Sequence, residues 1–393
     1  MPIKRPLLIA LVTLCVSLSA ASTDMYLPSL PSMAASLGAT AADVQLTLSA
    51  YMYAYAAAQL VYGPLTDRFG RRPVLLAGMG IYLAASVGCI LATSIEMLVA
   101  LRVIQAFGVC AAPVAGRAAV RDTHEVREAA RAMAYVATAF SLTPVFAPLI
   151  GGLLETWFGW RSNFVFMAAA GVAVTFAVVV ALPETNTRRD RHAIAPLQMA
   201  RNYARLLSSP LYLGYAGAAA FSFGVIFAYI SGAAFVFIEV FALSPALFGS
   251  VFGLSAIGFG AASFLSTRLT PRFGIDGTIM IGAGVIVAGG VAMNGLLLAG
   301  AYHPATIIAT MLIISIGTGF VMPNLQAGAL GPFPAMAGAA SAMLGCLQFV
   351  GASSIGAAVG HAYDGTPYPM TGAMLLSGLA LLAVFYALVW RRR

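Results

Sequence analysis

The chain has 393 residues, of which 61% are hydrophobic and only 9% are charged, and its formal net charge is +8. Roughly a quarter of the residues of an average soluble domain are charged, so this chain lacks the side chains for a water-facing surface. The composition therefore excludes two or three soluble domains and indicates a protein whose main solvent is lipid.

The apolar residues form twelve runs, each near the length of about 20 residues that a membrane-crossing helix needs. In chain order they lie at about 7–26, 44–63, 74–93, 97–116, 132–153, 162–182, 211–233, 246–266, 278–299, 304–323, 338–359 and 370–390. The basic residues before the first run resemble the start of a signal peptide, but the many runs that follow favour a helix that stays in the membrane. We predict an all-α membrane protein with twelve transmembrane helices in two six-helix halves.

The boundary between the halves is the longest polar stretch, residues 184–208. Its charged residues are Glu184, Arg188, Arg189, Asp190, Arg191, Arg201 and Arg205. We expect an N-terminal six-helix half over residues 1–183, a cytoplasmic linker over 184–208 and a C-terminal six-helix half over 209–393.

The basic residues also predict the orientation. All of the 21 Lys and Arg residues except Arg102 and Arg161 lie at the termini, in the linker, or in loops on one side of the predicted membrane. Cytoplasmic loops of membrane proteins carry such an excess of basic residues. Both termini are therefore expected in the cytoplasm, although the loop at 330–337 has no basic residue to support this locally.

The sequence has no constellation for catalysis or metal binding. Its four cysteines lie inside apolar runs without Cys-x-x-Cys spacing, and its four histidines are scattered. An enzyme needs clustered reactive groups, and a channel filter needs rings of carbonyls or charges. Because no ATP-binding loop is present, a transporter of this sequence must use a gradient. We predict no enzymatic activity, no metal, no cofactor and no nucleic-acid partner.

The loop after the second run is partly repeated after the eighth. Residues 63–73 read GPLTDRFGRRP, and their Leu-Thr and Arg-Phe-Gly recur within residues 269–274. Two halves related in this parallel manner are typical of major facilitator transporters. Residues 63–73 also resemble the signature loop of that superfamily, which implies a conformational gate.

The resemblance assigns this gate to Gly63, Asp67, Arg68, Gly70, Arg71 and, after the fourth run, Asp122. We expect Gly63 and Gly70 to permit tight turns, because glycine adopts backbone angles that other residues avoid. Asp67 is expected to pair with Arg71 or with a helix end, and Asp122 with the same loop. A solvated charged turn is the alternative.

Three further segments narrow the resemblance to the Bcr/CflA drug-resistance transporters. They are residues 23–31, 101–108 and 143–152, and residues 160–161, 182–185 and 235–240 also fit. The third segment holds an exporter motif, Pro144, Pro148, Gly151 and Gly152. Ala106 and Ala147 stand where that family usually has glycine. The resemblance implies a proton-coupled multidrug exporter of the bacterial inner membrane, with a small-molecule substrate and protons as coupling ion, and we expect a monomer.

Two charged residues, Asp24 and Arg102, lie inside the predicted spans. A charge within a membrane costs roughly 2.5–3.5 kcal/mol on insertion scales and is a functional hypothesis by default. By the resemblance, Asp24 binds the proton, and Arg102 is the fixed positive charge that tunes it. The alternatives are a polar helix end at Asp24 and a structural charge bonded to backbone carbonyls at Arg102.

Four residues are candidates for a substrate pocket: Tyr53, Tyr229, Glu239 and Asn324. Polyspecific pockets favour aromatic and adaptable side chains, which suits both tyrosines, but aromatic residues at such spacings also pack helices or contact lipid. Glu239 either attracts cationic substrates or anchors an outer loop. Asn324 follows Pro323, where a helix break either frees backbone groups to line a cavity or ends the helix.

These features predict proton-driven efflux of small amphipathic drugs by alternating access. The same fold also serves proton-coupled uptake of small metabolites, which is the alternative. The exporter motif and the scarcity of polar residues within the spans favour efflux, because a sugar permease needs more hydrogen-bonding and charged groups there.

Overall fold

The computed structural model describes residues 5–187, 189 and 196–392, and these form helices joined by short loops, without a β-strand. In chain order the helices are α1 (Arg5–Asp24), α2 (Leu30–Leu37), α3 (Ala41–Phe69), α4 (Arg71–Ile90), α5 (Ile95–Thr123), α6 (Val126–Phe158), α7 (Arg161–Ala181), α8 (Pro196–Leu207), α9 (Pro210–Ala234), α10 (Pro245–Leu298), α11 (Pro304–Leu330), α12 (Ala337–His361) and α13 (Tyr368–Leu388). Lys4, Arg188, Asp190, Arg191 and Arg393, whose charges entered the predictions above, lie outside the described residues.

The helices account for the predicted spans. Ten described segments are long and apolar enough to cross a membrane. One of them, α10, contains two predicted spans that meet at Gly274, where the backbone is not helical. The more polar α3 has 29 residues, and at about 1.5 Å per residue it exceeds the roughly 30 Å hydrocarbon core. The predicted all-α fold with twelve spans is confirmed.

The helices extend beyond the apolar runs, and this corrects one expectation. Gly63 lies inside α3, which continues through Pro64 to Phe69. The tight turn expected at Gly63 is therefore wrong, whereas Gly70 does turn the chain, with φ 104°. Hydrophobicity reports where the chain is in lipid, whereas a helix continues into water until a residue ends it.

The first span is broken near one end. After α1 ends at Asp24, residues Leu27–Ser29 form one 3₁₀ turn before α2 begins. Pro28 and Pro31 cannot donate backbone hydrogen bonds, which explains why the helix does not continue regularly. The break segment, residues 25–29, is buried and its 3₁₀ turn contacts α6, α9 and α10.

Two helix pairs join the first seven helices to the last five: α3 packs along α12, and α6 packs along α10. Glycines of α12 admit glutamines of α3, because a Cβ at Gly345 would overlap the Gln59 amide, and one at Gly360 would overlap the Gln45 amide. The Gly70 and Gly274 turns mark what we call the basic end of the bundle, and the break segment marks the opposite end. Small residues such as these glycines commonly permit close packing of membrane helices.

Candidate transport site

Arg102 of α5 is completely buried among the helices of the first half. Its Nη1 donates to the Ser22 carbonyl oxygen at 3.0 Å and to Gln105 Oε1 at 2.5 Å. Gln105 in turn donates to Ser86 Oγ at 2.8 Å. Residues three apart share one face of a helix, so the spacing of Arg102 and Gln105 in segment 101–108 places the amide beside the guanidinium.

Three aromatic rings surround the same guanidinium. Its central carbon lies 4.2 Å from the ring centroid of Tyr26, 4.1 Å from that of Tyr51 and 6.0 Å from that of Phe164. We call these three residues the aromatic cage. Each ring belongs to a different part of the first half: the break segment, α3 and α7.

Asp24 is the last residue of α1, directly before the break segment, and it is 8% exposed. Within the part of the chain that the structure describes, no hydrogen bond or ion pair reaches its carboxylate. Arg102 therefore binds the backbone of α1 at Ser22, two residues before Asp24, and does not form a salt bridge with it. Arg102 is thus connected to Asp24 through the backbone at the end of α1.

The predicted gate loop is held by an ion-paired cluster at the basic end. Arg71 forms salt bridges with Asp67 and with Asp122, the latter at 2.9 Å from its Nε, and its Nη1 donates to Thr66 Oγ1 at 3.0 Å. We call Asp67, Arg71 and Asp122 the Arg71 cluster. Arg68 is exposed and lies over the Phe69 ring, 5.2 Å from its centroid. Both pairings expected of Arg71 are thus present, whereas the contact shown for Arg68 is with the Phe69 ring.

Glu184 completes this loop, although sequence reasoning gave it no role beyond the linker and the family pattern. Its carboxylate accepts from the backbone N–H groups of Arg71 at 2.9 Å and Arg72 at 3.3 Å. Negative charge at the first N–H groups of a helix stabilises it, because those groups have no partner within the helix. A Cβ at Gly70 would overlap Glu184, so Gly70 is needed for this approach as well as for the turn.

Near the equivalent turn in the second half, the buried Asp276 carboxylate accepts from the Tyr215 hydroxyl at 2.6 Å, and neutral groups join α10 to α11. Thr270 donates to Asn324 Oδ1 at 3.0 Å, and Asn324 Nδ2 donates to Ser266 Oγ and to the Phe320 carbonyl oxygen, both at 2.8 Å. These bonds use both donors and the carbonyl of the Asn324 amide. The structure therefore places the Asn324 side chain between α10 and α11, where it joins the two helices. The helix does not end at Pro323 either, because α11 continues to Leu330.

The exporter motif lies where α6 meets the break segment and α10. A Cβ at Gly151 would overlap the carbonyl oxygen of Met25, and one at Gly152 would overlap that of Pro245. In the reverse direction, a Cβ at Gly249 would overlap the carbonyl oxygen of Pro148. The absence of side chains at these glycines lets the two halves approach to backbone contact near the opposite end. Pro144 lies within α6, as does Pro148, and neither ends that helix.

The other predicted pocket residues do not form one site in the described part of the chain. Tyr53 is 39% exposed and its hydroxyl bonds to Ser354 Oγ at 2.8 Å, across the contact of α3 with α12. Tyr229 is buried and stacks on Phe252, with 5.5 Å between ring centroids. Glu239 is exposed and accepts from the Tyr363 hydroxyl at 3.3 Å.

A line of aromatic rings joins the two halves instead. Tyr51 stacks on Tyr55 with 6.4 Å between centroids, Tyr55 meets Phe349 at 5.1 Å, and Phe349 meets Phe223 at 5.3 Å. Phe223 and Phe349 are only half-buried. The contacts of Phe349 with Tyr55 and Phe223 become visible only when α12 is placed beside α3 and α9.

Known proteins resemble the chain along nearly its whole length. The sequence profile described as Major Facilitator Superfamily matches residues 12–357. A chloramphenicol resistance protein of Pseudomonas aeruginosa is 32% identical, over 93% of this chain and 88% of that protein. A bicyclomycin resistance protein homolog of Haemophilus influenzae is 30% identical, over 94% and 92% respectively.

A solved structure shows the same fold. The human organic anion transporter MFSD10 superimposes with a TM-score of 0.71, covers 99% of this chain and all of its own, and is 17% identical. At that identity the likeness concerns the fold, whereas the sequence matches concern the family. The chain belongs to the Major Facilitator Superfamily, among relatives of the Bcr/CflA type that are named for drug resistance.

Proposed function

We propose that this transporter exports small amphipathic drugs or other toxic compounds from the bacterial cytoplasm in exchange for protons. The observation that carries the proposal is Asp24, a carboxylate without an ion-pair partner in the described structure, at the point where the first span breaks. A carboxylate inside a membrane is costly and marks proton relays in transporters. The drug-resistance names of the relatives give the class of substrate and the direction.

Proton binding at Asp24 would couple to the shape of the protein through the break segment. This segment follows Asp24 directly and contacts α9 and α10 of the second half. Neutralising the carboxylate changes the cost of placing it in a dry or a wet environment, and thereby the preferred position of the segment. The glycine contacts of the exporter motif at Gly151 and Gly152 favour closure of the same end.

At the basic end, the Arg71 cluster is the proposed gate. Asp67 and Arg71 flank the Gly70 turn, and Asp122 at the end of α5 is bound to the same guanidinium. Salt bridges of this kind can form in one transporter state and open in the other, because their strength depends on solvent access. We propose rocking of residues 1–183 against 209–393, with 184–208 as the linker and the basic end in the cytoplasm.

The aromatic line between the halves is the proposed wall for substrates. Half-buried Phe223 and Phe349 offer ring faces next to Tyr55, and none of these side chains carries a charge. Such surfaces bind flat, amphipathic molecules through apolar contact and do not demand one shape. A monomer is sufficient for this scheme, because both halves belong to one chain.

The test is survival of a drug-sensitive bacterium that expresses the protein, across a panel that includes chloramphenicol and bicyclomycin. We expect protection against at least one compound with the wild-type protein and its loss with Asp24→Asn. The matched control is Asp364→Asn, which changes an exposed loop carboxylate outside the spans. If the protein is present in the membrane and no compound is tolerated better, export is contradicted and uptake becomes the better account.

A further inference from the structure

We propose that Tyr26 and Tyr51 are positioning residues which hold the buried charge of Arg102 in place of a carboxylate. The inference rests on the proposed function only in the use that it gives to Arg102. The contact between the aromatic cage and Arg102 can be tested without measuring transport.

The guanidinium needs more compensation than its hydrogen bonds supply. Arg102 is 0% exposed, and its Nη1 donates to Ser22 and Gln105. Its Nε and Nη2 have no hydrogen-bond partner within the described structure. Burying a cation without a counter-charge is among the most costly arrangements in a protein. Another source of negative potential must therefore face this group.

The aromatic cage supplies it. The faces of aromatic rings are electrostatically negative, and a cation within about 6 Å of a ring centroid is attracted most strongly when water is excluded. Tyr26 and Tyr51 lie well inside this distance, and Phe164 is at its limit. The cage thus stabilises the charge with groups that carry no charge themselves.

This arrangement matters for coupling because it leaves Asp24 free. If Arg102 were held by a salt bridge to Asp24, the pair would resist protonation of the carboxylate. With the rings as partners, the guanidinium binds the carbonyl oxygen of Ser22, two residues before Asp24 in the chain. Tyr26 also belongs to the break segment, so the cage connects the fixed cation to the element that contacts the second half.

A double-mutant cycle in thermal unfolding tests the contact directly. Tyr51→Leu should lower the melting temperature of the purified protein when residue 102 is arginine, and much less in an Arg102→Gln background. Tyr51→Phe keeps the ring and should restore the wild-type behaviour. Tyr53→Leu is the matched control, because Tyr53 is on the same helix but exposed. An equal loss from Tyr51→Leu in both backgrounds would overturn the proposal.

Transport in proteoliposomes tests the positioning role. We expect Tyr51→Leu and Tyr26→Leu to lower the maximal rate of drug–proton exchange about tenfold, as the loss of a desolvated cation–π contact implies. The KM for the drug should stay near that of the wild type, and the phenylalanine variants should keep most of the rate. Leucine variants with an unchanged rate, or phenylalanine variants as slow as leucine, contradict a positioning role for the rings.

The two proposals fail in different ways. If Asp24→Asn leaves drug-driven proton flux intact while the cycle shows coupling between Tyr51 and Arg102, the proton assignment is wrong and the cage stands. If Asp24→Asn abolishes the flux and the cycle shows no coupling, the cage is wrong and the proton assignment stands.

Discussion

The two halves of the molecule make the same turn with different chemistry. Gly70 and Gly274 lie at equivalent turns, with φ of 104° and 73°. Both also have an extended ψ, and residues other than glycine rarely adopt this combination of angles. At Gly70 the turn is fixed by the Arg71 cluster and by Glu184. At Gly274 the neighbouring bonds include those of Thr270, Ser266 and Asn324 and the bond from the Tyr215 hydroxyl to the Asp276 carboxylate. The repeat preserves a backbone shape, and in the first half two salt bridges of Arg71 hold that shape.

The same contrast continues inside the membrane. The two charges within the predicted spans, Asp24 and Arg102, both belong to the first half. Residues 209–393 contain three acidic side chains: Glu239 and Asp364 are exposed near the ends of helices, and Asp276 is buried two residues after the Gly274 turn, outside the predicted spans. We infer a division of labour in which the first half handles the proton, whereas both halves supply aromatic surface for substrates. The predictions below test that division from its strongest consequence to its weakest.

The largest effect is expected at Gly70. Gly70→Ala should lower the free energy of unfolding by about 4 kcal/mol, from backbone strain plus loss of the Glu184 bonds to the helix start. Gly274→Ala should cost about 2 kcal/mol, because the added carbon brings the backbone strain but meets no atom of the described residues within 4 Å. Thermal unfolding of the purified variants measures the difference. Equal losses would erase the contrast between the two turns.

The second effect concerns the neutral network of the second half. Asn324→Ala removes two hydrogen bonds between α10 and α11 and one within α11, and should cost about 2 kcal/mol of stability. Its effect on drug specificity should be negligible, because both donors of the amide and its oxygen are already bonded within the protein. A variant that folds as well as the wild type but exports a different set of drugs would indicate that Asn324 lines the substrate pocket.

A smaller effect is expected at the ion-paired cluster. Asp122→Asn should reduce stability by about 1 kcal/mol, because Arg71 keeps its salt bridge to Asp67. Added salt should weaken the wild type more than the variant, since ion pairs near water are screened. The measurement is the melting temperature at low and high ionic strength. A parallel response of both proteins would show that the Asp122 bridge contributes nothing.

The smallest effect is expected at Gly63, although it belongs to the same motif as Gly70. Gly63→Ala should leave stability unchanged or raise it by up to about 1 kcal/mol, because alanine favours the helix interior. Nothing in the described structure lies within 4 Å of the added carbon. Melting temperature and drug resistance are the measurements. A strong loss of transport without a loss of stability would show that the gate needs flexibility at Gly63 itself.

The sequence was most informative where a physical constraint acts along the chain. Twelve spans follow from hydrophobic length, and Asp24 and Arg102 stand out because charge in lipid is costly. The pairing of Arg71 with Asp67 follows from their spacing across a turn. Such features need no knowledge of which helices are neighbours.

The rest depends on contacts between distant segments. Glu184 caps a helix that begins more than a hundred residues before it, and Asn324 is satisfied by groups on another helix. Tyr26 and Tyr51 meet Arg102 only after three segments have packed. A glycine in a turn motif also looks the same in sequence whether it turns, as Gly70 does, or continues a helix, as Gly63 does.

The most direct test of the account is drug-driven proton movement in liposomes that contain the purified protein and a pH-sensitive dye. A drug gradient across wild-type protein should drive protons in the opposite direction. Asp24→Asn should still bind drug but move no protons, whereas Asp364→Asn should behave as the wild type. Proton movement of equal size with Asp24→Asn would contradict the assignment of Asp24 as the coupling carboxylate.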